Sequence, residues 1–162
     1  MMPSARSRAV LLGLVVALPF TPLLLGRVIW SSDIAKVYHP AAAVLSQALH
    51  TRSIDRILWN PDVAAGFPLV ADGAFGALSP LTWILAGLVD PAWIPALTLL
   101  LAYLFAAFSL RSFVRALGCS EAAALVASIA YAFSGFAVSH VVHPNIVLGL
   151  GFLPLLSLVV HR

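Results

Sequence analysis

The apolar residues of this chain fall in long blocks, and a polar interval separates the first block from the rest. Nearly unbroken apolar stretches cover residues 9–30, 92–110, 122–139 and 146–160. About 20 apolar residues in a helix reach across the hydrocarbon of a bilayer, so each stretch predicts a membrane span. A further apolar piece over residues 78–89 is too short to cross and stops at Asp90-Pro91; it predicts a short interfacial or partly buried helix over residues 80–90. Within the polar interval, residues 34–49 mix apolar positions with Lys36, His39 and Gln47, a pattern that suits a helix along a membrane surface. Ser32 or Asp33 would cap that helix, with Pro40 in its first turns. Trp59-Asn60-Pro61-Asp62 and Gly66-Phe67-Pro68 read as turns. The expected fold is all-α integral membrane: one membrane domain over residues 1–162, four transmembrane helices, and a large loop over residues 31–79.

Charge gives these spans an orientation. Arg6 and Arg8 precede the first span, Arg111 and Arg115 follow the second, and Arg162 follows the fourth. Placing them in the cytoplasm makes every inner boundary positive, as membrane insertion favours. The N-terminus is then cytoplasmic, while the 31–79 loop and the turn at His140–Asn145 are extracytoplasmic. Counting residues 78–89 as a span would put Arg111 and Arg115 outside.

Arg6 and Arg8 ahead of an apolar run also have the outline of a signal peptide. The run is longer than the usual ~7–15 residues, however, and no small-residue cleavage site follows it, so it reads as an uncleaved span. Pro19 and Pro22 predict a kink there, whose freed backbone groups need partners. The third span carries Ala124, Ser128 and Ala132, then Gly135 and Ser139, a small-residue face that lets helix backbones approach closely. That face predicts packing in a bundle, with further transmembrane helices of the same or another chain as partners.

Composition narrows the function classes. Hydrophobic residues make up 62% and charged residues 9%, against roughly 45–50% and about 25% in soluble domains. The net charge is only +3, and no basic helix carries interleaved aromatics, so nucleic acid is not an expected partner. The single Cys119 cannot build a disulfide framework or a cysteine metal site. The chain has no Walker A loop, GxGxxG, HExxH or GxSxG. An enzyme on the outer face would therefore need an activated substrate already in the membrane, among the lipids.

The expected topology gathers the chemistry on one face. Asp33 follows the first span immediately, the Asn60–Asp72 stretch lies in the loop, and His140, His143 and Asn145 form the outer turn. His140 and His143, three apart, would share a helix face until Pro144 ends it. Arg52 and Arg56, one helical turn apart, could meet lipid phosphates. Each residue also has a plainer reading: Asp33 as a helix cap, the histidines as interfacial residues, and Trp30, Trp59, Trp83 and Trp93 as interface anchors. As metal ligands, the two histidines would need a third partner that the sequence does not locate.

Ser32-Asp-Ile-Ala-Lys-Val-Tyr-His-Pro40, then Leu58-Trp-Asn-Pro61, Gly66-Phe-Pro-Leu69 and Ser79-Pro-Leu81 resemble the N-terminal region of YfhO-family bacterial membrane proteins. Ser134-Gly-Phe136, His140, His143, Asn145 and Phe152-Leu-Pro-Leu155 continue the resemblance, which runs from about residue 18 to Arg162. It implies a bacterial plasma-membrane protein of the GT-C glycosyltransferase type, which transfers sugars from polyprenyl-phosphate carriers on the outer face. Members of the family are much longer, so this chain would be the N-terminal portion of such a protein. In that group an acidic residue just after the first span is essential, and Asp33 matches it. Asp62 stands where relatives carry an aromatic residue and inherits no role. On this basis Asp33 would act as general base in an inverting displacement. Lys36, His39, Arg52, Arg56, Asn60, His140, His143 and Asn145 would bind the substrate, the cations among them balancing charge on the leaving phosphate. A divalent cation is compatible with this chemistry, but no residue pattern specifies one. The alternative is a non-catalytic membrane protein: an accessory subunit, a transporter part or a truncated gene product.

Overall fold

A computed structural model describes residues 4–63 and 65–161. Arg162, the expected inner flank of the last span, lies outside the described residues. Among the described residues, four helical stretches are long and apolar enough to cross a membrane: Arg6–Leu25, Pro91–Ala116, Glu121–Ser139 and Pro144–His161. The protein is an all-α integral membrane protein. Among the described residues, strand-like pairing is confined to one antiparallel bridge between Asn60 and Phe67. The chain divides into two compact units, Met1–Arg27 with Leu99–Arg162 and Val28–Thr98. They are called here the spanning unit and the intervening unit.

The spanning unit begins with α1 (Ala5–Ala17), capped by Ser4, whose hydroxyl accepts the Ser7 N–H. At Leu18 the helix tightens into a 3₁₀ segment, Leu18–Leu25. Pro19 and Pro22 explain the change, since each removes an N–H donor. An α-helix would have paired the Leu18 carbonyl with the N–H that Pro22 lacks. The Thr21 hydroxyl donates to that carbonyl instead, at 2.9 Å. Gly26 then turns left-handed at φ 73° and closes the helix short of residue 30.

The remaining helices of this unit are α5 (Ile94–Ala116, which straddles the unit boundary), α6 (Glu121–Ala132), α7 (Gly135–Ser139) and α8 (Pro144–His161), the numbers α2 to α4 belonging to the intervening unit. Their side-chain contacts give their directions. Gly13 lies against Phe108 and Phe20 against Tyr103, so α1 and α5 are antiparallel. Phe105 meets Gly151 and Phe152, while Phe113 meets His161, so α5 and α8 run in step. Arg111 pairs with Glu121 and Tyr103 with Phe133, so α6 opposes α5. Directions thus alternate along the four spans, as successive membrane crossings require. Arg27, Leu99 and the His140–Asn145 turn lie at one end of this unit. Arg6, Arg8, Arg111, Arg115 and His161 lie at the other.

The third span is two helices, not one. Phe133 breaks the α-helical run, and the Ser134 hydroxyl caps α7 by accepting the Ala137 N–H at 3.3 Å. Tyr103 reaches across and donates to the Ala137 carbonyl at 2.8 Å. Ala124, Ser128 and Ala132 are buried, and α1 packs against α6, as the small-residue spacing predicts. Past the break, Gly135 and Ser139 are exposed, so the packing stripe ends with α6.

The intervening unit is centred on α2 (His39–Thr51), which follows a π-turn over Ile34–Tyr38. Pro40 accounts for the widened turn: its ring would collide with the carbonyl four residues back. Two apolar clusters cover α2. Ala41, Leu45 and Ala48 pack with Ile57 of α3 (Asp55–Leu58), Leu69 and Ala77. Ala42 packs with Leu85 and Ala86 of α4 (Pro80–Leu88) and with Ile94. Full burial of a side chain such as Leu45 stabilises the fold by about 2 kcal/mol. Protein thus covers much of the apolar surface that a purely interfacial helix would turn to lipid.

Candidate functional site

Asp33 lies within the helix that opens the intervening unit. Its backbone is helical (φ −67°, ψ −31°), and its side chain makes no capping hydrogen bond. The capping role expected for it is therefore not the one observed. The half-exposed carboxylate accepts the Ser32 hydroxyl at 3.2 Å. Lys36, exposed, follows one turn later.

Tyr38, the last residue of the π-turn, is buried. Burial, then the neighbouring Asp33 and Asp72 carboxylates, push its phenol from the ordinary 10.0 up to about 12. Tyr38 therefore keeps its proton at any physiological pH. Asp72, for its part, accepts the Ala74 N–H at 2.8 Å and starts a 3₁₀ turn over Gly73–Phe75. The result is a local group of two carboxylates and one neutral phenol. Tyr38 stands in the Ser32–Pro40 stretch that carries the family resemblance, but sequence reasoning assigned it no role of its own. Pro40, by forcing the widened turn, was the one available hint, whereas the approach of Asp72 is a tertiary event.

Other residues expected to bind substrate are turned to the fold. His39 is buried, stacks on Trp30 at 4.8 Å between ring centroids, and holds the Ile29 carbonyl at 3.1 Å through Nε2. A carbonyl only accepts, so Nε2 carries the proton. Asn60 is buried too. Its side-chain oxygen accepts the Asp62 N–H at 3.0 Å, and its backbone exchanges both bonds with Phe67, closing the 60–67 loop. Gly66 permits that closure at φ 128°, where a β-carbon would fall 2.2 Å from the Trp59 indole.

Arg52 and Arg56 do not share a helix. Arg52 ends α2 in the left-handed region (φ 56°), and Arg56 belongs to α3. Arg56 pairs with Asp62 at 3.2 Å on the surface. Such an exposed pair contributes about 0–1 kcal/mol, so a phosphate can compete for the guanidinium.

In the spanning unit, the histidines meet where α7 gives way to α8. The His140 and His143 rings are 5.8 Å apart. His140 stacks on Phe136 at 4.2 Å, and its Nδ1 lies 2.9 Å from the Phe136 carbonyl. Nδ1 must therefore donate, which leaves the Nε2 lone pair of the neutral ring for another partner. Pro144 does not end their helix, as expected, but opens the next one as the first residue of α8, with Asn145 beside it. Its missing N–H costs nothing there. No group of three His, Cys, Asp or Glu side chains suited to a metal ion occurs among the described residues.

A model of the family described as bacterial membrane protein YfhO matches residues 23–162. No curated protein and no solved structure matches the chain.

Proposed function

The chain belongs to the YfhO family of bacterial membrane proteins, and from that premise we propose that it is part of a multi-pass glycosyltransferase of the plasma membrane. In this reading the enzyme moves a sugar from a polyprenyl-phosphate carrier to an acceptor on the extracytoplasmic side, with the N-terminus in the cytoplasm. Asp33 takes the proton from the acceptor hydroxyl as that oxygen attacks the anomeric carbon. The bond from that carbon to the carrier phosphate breaks, and the electron pair leaves with the phosphate. Lys36, Arg52 and Arg56 offset the charge that develops on the phosphate, and Tyr38, held protonated, offers a neutral donor near the carboxylate. Within the spanning unit, His140, His143 and Asn145 would meet polar groups of the substrate, His140 as an acceptor through Nε2.

The observation that supports this reading best is the state of Asp33. It is half-exposed, follows the first span in the chain, makes no capping hydrogen bond through its side chain, and precedes a π-turn. π-turns are rare and concentrate at functional positions. The involvement of His39 and Asn60 in holding the backbone reduces their part in substrate binding to a supporting one.

The test is Asp33→Asn in the full natural protein, assayed for sugar transfer in membranes. Loss of a general base lowers the rate by about 10²-fold or more, with expression and membrane insertion unchanged. Undiminished transfer in that variant would remove Asp33 from the chemistry.

A further inference from the structure

The end of the spanning unit away from the histidines concentrates positive charge. Arg6 and Arg8 open α1, Arg111 and Arg115 close α5, and Glu121 opens α6. Glu121 Oε1 receives Arg111 through Nη2 at 2.6 Å and Nε at 2.7 Å, and Oε2 receives Arg115 at 3.3 Å. Among the described residues, one carboxylate stands against four guanidiniums at this end, an excess of three positive charges.

Register brings these charges together. Gly13 touches Phe108 across antiparallel helices. Arg6 lies seven residues before Gly13 and Arg115 seven after Phe108. Seven residues are about two turns, so each arginine returns to the face that makes the contact. Arg8 extends the buried stripe of α1, four residues before Leu12. Arg6 is exposed, and the Arg115 side chain stays 47% exposed despite its ion pair. Immediately along α1, Val10, Leu11 and Leu14 are 61%, 55% and 63% exposed, an apolar wall beneath a cationic rim.

We propose that this end binds an anionic phospholipid, its phosphate among Arg6, Arg8 and Arg115 and its acyl chain along the exposed apolar side of α1. Glu121 is the clamp that holds Arg111 and Arg115 side by side. The apolar wall distinguishes this partner from free phosphate, which has no use for it. The site is independent of the glycosyltransferase reading and of Asp33.

The experiment is native mass spectrometry of the purified chain in a neutral detergent, titrated with phosphatidylglycerol or phosphatidylcholine. Phosphatidylglycerol binds about tenfold tighter or more. Each guanidinium lost from the phosphate weakens it about five-fold, so Arg6→Gln with Arg8→Gln lowers affinity about 25-fold, at unchanged helix content by circular dichroism. Arg6→Gln alone, an exposed change in the first turn, loses about five-fold and keeps the test decisive if the double variant fails to insert. Equal affinity for the two lipids, or wild-type affinity in Arg6→Gln, overturns the proposal. Displacement of the lipid by inorganic phosphate at equal concentration overturns it as well.

Discussion

The spanning unit holds six cations and one carboxylate, while the intervening unit holds three cations and five carboxylates, so their net charges are +5 and −2. The contrast extends to the backbone. In the spanning unit, charged side chains gather at helix ends, and the helices are long because apolar length alone satisfies a bilayer. In the intervening unit, polar side chains shape the chain. Asp72 and Asp90 start 3₁₀ turns, Asn60 closes a loop, and His39 holds a carbonyl. Candidate chemistry follows irregular backbone: Asp33 precedes the π-turn and Tyr38 ends it, while His140 and His143 flank the α7–α8 turn. A regular span has little freedom to present a charge, because hydrocarbon makes each one costly.

The comparison breaks most sharply at Gly66. Gly66→Ala forces a side chain into φ 128° and into the Trp59 indole, at a cost of about 3 kcal/mol. Hydrogen exchange should accelerate across α2 and α3 and stay unchanged in α6 and α8; equal loss in both sets would deny the units their independence.

Alkali should weaken the same unit next. The Tyr38 phenol lies at about 12 in the fold against 10.0 ordinarily, so the fold favours the protonated form. Its contribution, about 2 kcal/mol, is complete below pH 10 and fades as pH rises through 10 to about 12, because the unfolded chain ionises first. Exchange protection of α2 measured across that window should fall, and Tyr38→Phe should flatten the dependence.

In the spanning unit, Tyr103→Phe removes the bond to the Ala137 carbonyl and costs about 1 kcal/mol. Faster exchange in α7 alone is the expected readout. Least affected is Arg56→Ala, which breaks an exposed pair and should shift stability by about 0.5 kcal/mol or less in a thermal melt.

The spans were legible because a bilayer reads length and hydrophobicity, both of which are local. The buried face of Ala124, Ser128 and Ala132 was legible for a similar reason, since spacing alone places those residues together. The break at Phe133–Ser134 was harder to read, as an apolar run hides a cap that only the Tyr103 hydroxyl and the α7 geometry make evident. Asp33 was legible as a position, but not its helical backbone, which takes the capping place away from it. His39 and Asn60 looked like exposed polar residues, yet Trp30, Ile29 and Phe67 take them into the fold.

By itself, the sequence determined the membrane class, the alternating spans and the segregation of charge, since each depends on runs of neighbouring residues. Tertiary structure alone decided which polar groups are available to a substrate. Availability depends on what stands opposite a side chain, and the partners of Tyr38, His39 and Glu121 come from residues that linear spacing does not bring together.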